Sequence, residues 1–152
     1  EPPLKPALFV DGGASTDVVQ GVLGDCWLLS AVAVLARHPP LLHHVFALCA
    51  VRGRRRGAVP LQFWKGGARR RVTIDDRLPC VDGELLYARS PEPRELWAAL
   101  LEKGYAKLHG GYEQLVSGFA DYAMADLTGC PPQRLHLRGP PTARTAADAD
   151  AD

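Results

Sequence analysis

The stretch Gln20-Gly-Val-Leu-Gly-Asp-Cys-Trp27, followed without a break by Leu28-Leu-Ser-Ala-Val-Ala-Val-Leu35, decides how this chain is read. Its second half is apolar on most faces, which predicts a buried helix from Cys26 to Arg37, stopped by Pro39-Pro40. A helix start leaves backbone N–H groups without partners and carries a partial positive charge. A thiol placed there is drawn towards thiolate, a nucleophile at neutral pH. Gln20, upstream in the same stretch, offers side-chain N–H donors for an oxyanion developing beside that sulfur. Taken alone, a cysteine at such a point is more often a buried structural thiol. Cys26 and Gln20 together are the candidate catalytic pair.

Working outward, residues 1–9 are proline-rich and read as an extended lead-in. Residues 10–25 are rich in glycine and carry Asp11, Asp17 and Asp25, so they read as a loop with many exposed carbonyls and carboxylates. Leu41 to Leu48 predicts a second short helix with Pro40 near its first turn, and the Gly/Arg-rich stretch 52–57 a loop. Pro60–Lys65 and Arg70–Asp75 predict two strands around the Gly66-Gly67 turn, and Glu84–Ala88 a third after Asp82-Gly83. Leu96, Trp97, Leu100, Leu101, Tyr105 and Leu108 recur at helical spacing, predicting an amphipathic helix over Glu95–Leu108 that Gly110-Gly111 ends. Shorter helical segments follow at about 112–117 and 119–127. The tail from Gly139 is low in complexity and reads as disordered.

A chain of 152 residues is one domain's worth, 47% hydrophobic and 23% charged, which is ordinary for a globular fold. A formal net charge of +1 argues against a nucleic-acid partner, and the basic runs Arg52–Arg56 and Arg69–Arg71 read as solvated loop charges. Cys26, Cys49, Cys80 and Cys130 form no CxxC pair and no metal-ligand spacing with a histidine. With no signal-peptide pattern, they favour a reducing, cytoplasmic setting; the apolar run Cys26–Ala36 is too short to span a bilayer.

Longer motifs add specificity. The segment Gln20–Ala31, then Val72-Thr-Ile-Asp-Asp-Arg-Leu-Pro79, then Leu96–Glu113 and Asp126-Leu-Thr-Gly129 resemble, in order, the calpain family of papain-like cysteine proteases, over about residues 8–138. The resemblance implies an α+β fold: a papain-like half-domain, mainly helical, with a buried nucleophile helix and a small antiparallel sheet. Residues 1–138 would be the first subdomain of the protease core and 139–152 a tail. It implies Cys26 as nucleophile, Gln20 as oxyanion-hole side chain with the Cys26 N–H as second donor, and Trp27 as a packing residue. It places Gly118 along the substrate cleft, although the family's usual neighbouring glycine is Ser117 here. It also implies calcium, held by the carbonyls of Val10 and Gly12 and the carboxylates of Asp17 and Glu95, a hard-oxygen set suited to that ion. Asp75-Asp76 matches a strand-to-turn position of the family and reads as structural.

A cysteine protease also needs a general base and a group to orient it. In calpains the His and Asn lie in the second core subdomain, downstream of everything in this sequence, which contains no asparagine. Its histidines, at 38, 43, 44, 109 and 136, read as surface or capping residues. The expectation is a nucleophile-bearing part of a calcium-dependent endopeptidase acting on protein substrates, inactive until a second subdomain supplies His and Asn. The alternatives are a non-catalytic calcium-responsive or protein-interaction module, and a redox-sensing role for Cys26, for which no resolving cysteine lies nearby in sequence.

Overall fold

The computed structural model describes residues 5–52, 57–133 and 135. In chain order the elements are α1 (Cys26–Ala36), α2 (Pro39–Val45), α3 (Ala47–Arg52), β1 (Ala58–Lys65), β2 (Ala68–Asp75), β3 (Cys80–Val81), β4 (Glu84–Leu85), α4 (Trp97–His109) and α5 (Ala120–Thr128). Short 3-10 turns span Ser15–Asp17 and Tyr112–Leu115. The arrangement is mixed helix with a little antiparallel sheet, as an α+β protease half-domain requires.

One core joins these elements. Leu28, Leu29, Ala31, Val32, Leu35 and Ala36 are all buried, so α1 is covered around most of its circumference. It packs on α2 and α5, while α5 and α3 lie against β1 and α4 lies against both strands of the hairpin. In β1, Val59, Leu61 and Phe63 belong to the core, with Pro60 buried between the first two, and β2 answers with Val72 opposite Leu61 and Ile74 opposite Val59. Burying each large aliphatic or aromatic chain contributes about 1.5–3 kcal/mol. Gly104 of α4 faces Leu61 and Phe63, where a β-carbon would collide with the Leu61 side chain.

Several boundaries differ from the sequence-based expectation. The two prolines end α1 and also open α2, because Pro lacks an N–H that a first helical turn does not use. The predicted helix 41–48 is split at Phe46, whose ring turns edge-on to Phe9 at 5.3 Å. The long helix begins at Trp97, two residues after Glu95, whose carboxylate is occupied with the chain's N-terminal loop. The predicted third strand forms only a two-residue pairing, Cys80–Val81 with Glu84–Leu85, separate from the hairpin. Beyond Leu85 the backbone turns away so that Ala88 donates its N–H to Glu102 and Arg89 pairs with Val19. The loop residues 53–56, His136 and the tail 139–152 lie outside the described residues.

Candidate active site

Cys26 is the first residue of α1 and its side chain is exposed. Asp25 is the N-cap; its backbone carbonyl accepts the N–H of Leu28 at 2.8 Å and of Leu29 at 3.1 Å, while its side chain makes no capping bond. The first two N–H groups of α1, those of Cys26 and Trp27, therefore have no acceptor within the helix. Ser30 Oγ donates to the Cys26 carbonyl at 2.7 Å, one turn further on.

Gln20 stands on the loop leading into this turn and is exposed. One of its Nε2 protons goes to the Leu23 carbonyl at 2.7 Å, which holds the amide in one orientation and leaves the other proton for a further acceptor. The loop is anchored by paired backbone bonds between Val19 and Arg89, of 2.9 and 3.0 Å, and by Arg89 Nη1 on the Gln20 carbonyl at 3.3 Å. Gly21 lies directly on the carbonyls of Leu86 and Tyr87, where no side chain fits. Trp27 donates Nε1–H to the Leu115 carbonyl at 2.8 Å and meets Tyr105 edge-on at 6.0 Å. Gly118 packs against that indole, where a β-carbon would come within 2.5–2.8 Å of ring atoms.

The proposed ion ligands lie on the segment that clamps to the entry of α4. Ala7 and Leu8 exchange backbone bonds with Arg94, Leu96 and Trp97, and Val10 N–H donates to Glu95 Oε1 at 2.9 Å. Ser90 Oγ donates to Glu95 Oε2 at 3.0 Å, so the buried Glu95 carboxylate is held at both oxygens. Asp17 receives the Ala14 N–H, and the Gly12 carbonyl pairs with His43 Nε2 at 3.2 Å. Val10 and Glu95 are thus brought together directly. Among the described residues no group of three or more His, Cys, Asp or Glu side chains is placed to hold a metal. A shell of two carboxylates and two carbonyls does not require one, and each carboxylate oxygen keeps further lone-pair capacity, so the donor chemistry fits a hard cation.

The family model for calpain family cysteine proteases matches residues 2–150. The chain belongs to the calpain family. It is 43% identical to calpain-5 of Caenorhabditis elegans over 138 residues, covering 88% of this chain and 21% of that protein. It is 43% identical to the calpain-2 catalytic subunit of Rattus norvegicus over 137 residues (90% and 20%) and 48% identical to calpain-A of Drosophila melanogaster over 126 residues (82% and 15%). The chain thus spans between 15% and 21% of the length of these calpains.

Among the described residues of this calpain chain no hydrogen bond joins a histidine to Cys26. His43 is on Gly12, His44 pairs with Gln62 at 2.6 Å, and His109 pairs with Asp126 at 3.1 Å. Asp126 Oδ2 also takes Lys65 Nζ and Tyr105 Oη, each at 2.9 Å, tying β1, α4 and α5 together. Burial works to raise the Asp126 carboxyl, but the bonds from His109, Lys65 and Tyr105 outweigh it and hold it below its ordinary value. Sequence reading missed this network and a second one, formed by Asp25 and Glu102, both fully buried. The available signal was Glu102 itself, an acid set in the inward stripe of α4 between Leu101 and Tyr105. Among the described residues no helix is long and apolar enough to cross a membrane.

Proposed function

We propose that the chain is the nucleophile-bearing half of a calcium-dependent calpain-type endopeptidase. The observation that supports this reading is the exposed Cys26 at the first turn of α1, on the same short stretch of chain as Gln20, whose amide is fixed on the Leu23 carbonyl. In the proposed reaction the Cys26 sulfur attacks the scissile carbonyl of a protein substrate and the carbonyl π electrons move onto oxygen. The Gln20 amide and the Cys26 N–H donate to that oxyanion. Collapse expels the amine, which takes the proton that the thiol gave to a histidine, and leaves a thioester that water then hydrolyses. That histidine and its orienting asparagine come from a second subdomain, and Gly118 supplies cleft backbone. Trp27 keeps the helix start at a set distance from residues 115–118 by its bond to Leu115.

Val10, Gly12, Asp17 and Glu95 would hold calcium, whose contribution is to fix this loop against the entry of α4 rather than to polarise the substrate. The absence of a disulfide among the described cysteines accords with a cytoplasmic setting.

The test joins residues 1–138 to the remaining protease core of a calpain relative and follows cleavage of a fluorogenic peptide. Expected is calcium-stimulated turnover that Cys26→Ala abolishes, with no turnover by the unjoined chain. A folded hybrid that stays inactive at every calcium concentration, while the relative's own core works, would sink the proposal. So would turnover that survives in Cys26→Ala.

A further inference from the structure

Asp25 and Glu102 stand in an unusual position. Asp25 is the N-cap of the nucleophile helix, yet its carboxyl makes no cap and turns inward, with no exposed surface. Glu102, in the middle of α4, is 1% exposed. The two carboxyls contact one another. Glu102 Oε2 accepts the Ala88 N–H at 2.9 Å. Apart from the approach of Asp25's own backbone N–H to its carboxyl, Glu102 Oε1 and both oxygens of Asp25 have no N–H or O–H partner among the described residues. Two carboxylates facing each other without a donor repel and leave three buried acceptors unsatisfied, an arrangement that burial does not tolerate. One proton between them supplies the missing donor and removes one of the two charges.

We propose that Asp25 and Glu102 are positioning residues for Cys26: a buried carboxyl–carboxylate pair that shares one proton and docks the turn before α1 onto the middle of α4. The designation of Cys26 as nucleophile rests on the function proposed above; the pair itself does not. Burial and the adjacent Asp25 push Glu102 up to about 9, and burial raises Asp25 as well, so the pair as a unit keeps one proton and one charge at neutral pH. Glu95, at the entry of the same helix, joins the N-terminal loop to α4, and Glu102 joins α4 to Cys26's turn. A displacement of α4 therefore reaches the nucleophile through one buried hydrogen bond.

The sign of the pH effect follows. From about pH 4.5, where a free Glu ionises, to about 9, the folded chain keeps a proton that the unfolded chain has released. Stability falls as pH rises across that window, up to tenfold in the unfolding constant per pH unit, and levels off above it. The other groups facing Glu102 are Ala88 N–H and the phenols of Tyr87 and Tyr112, the latter raised by its own burial and influenced by Asp75; Lys103 is the neighbouring charge on α4. All are common to parent and variant, so their titrations cancel in the comparison.

The experiment uses the full chain with Cys80 and Cys130 changed to Ser, leaving Cys26 as its exposed thiol. Urea unfolding is measured from pH 5 to 9, and iodoacetamide alkylation of Cys26 at pH 7; neither readout needs peptidase activity. Glu102→Gln supplies the donor without a titratable proton. It should flatten the pH dependence and leave the alkylation rate within twofold of the parent. Asp25→Asn also flattens it, and by taking the negative charge away from the first turn of α1 should raise the alkylation rate threefold or more. A parental pH slope in a folded Glu102→Gln, or an unchanged alkylation rate in Asp25→Asn, overturns the proposal. If only one variant folds, that one decides. Failure of both to fold also overturns it, since each amide provides the donor that the pair requires.

Discussion

At the residue scale, the contact between Trp27 and Gly118 shows how narrowly the surroundings of the exposed Cys26 are specified. The indole is fixed at one edge by its bond to Leu115 and cannot swing aside, unlike the tip of a flexible chain. Gly118→Ala puts a methyl group 2.5 Å from the ring and forces either Trp27 or residues 115–118 to move. Overpacking of this kind costs about 1–3 kcal/mol, and urea unfolding should show that loss. An unchanged midpoint would mean that the 115–118 segment yields without resistance. Cys26 and Gln20 could be read as a candidate pair, with Trp27 as the packing residue beside them, because all three sit within one short stretch of sequence. The contact of Gly118 with Trp27 was not, because nothing local in either segment encodes the other.

At the element scale, α4 organises the half-domain. Its predicted extent was off by two residues at the start, where Glu95 is diverted to Val10 and Ser90 instead of opening the helix. Its apolar stripe was readable from spacing alone, and so was the hairpin, since both follow local periodicities. Gly104 poses a contest between two effects. Replacing it with Ala gains about 1 kcal/mol of helix propensity. The new methyl group, however, meets Leu61 and Phe63, both fully buried and without free space to retreat into. Overpacking at about 1–3 kcal/mol outweighs the gain, so Gly104→Ala should lower the melting temperature. A rise would show that α4 and β1 separate easily.

At the scale of the whole molecule, the core and its order of elements were legible, while links across the fold were not. The connection of loop 10–17 to Glu95 entered through family resemblance only; composition marked the loop but could not choose its distant partner. The Asp25–Glu102 contact left no trace beyond one acid on an apolar stripe. Ion binding at the loop, as proposed, would tie the N-terminal segment to α4, and so should stabilise the entire cooperative unit. Calcium at about one hundred times its Kd would add about 2.7 kcal/mol, a rise in melting temperature of about 5–10 °C. Asp17→Ala and Glu95→Ala should each remove most of that rise, measured against their own calcium-free midpoints. Equal rises in parent and both variants would assign the ion elsewhere.

Trp27 has one more consequence. It follows Cys26 directly, is partly open to solvent, and rests on Tyr105 and the Leu115 carbonyl. Indole emission depends on the polarity and mobility of what surrounds the ring. The half-domain therefore carries a native optical gauge one residue from its sulfur. Whatever settles over that end of α1 will change Trp27's share of the chain's indole emission, read with no label attached against the light of Trp64 and Trp97.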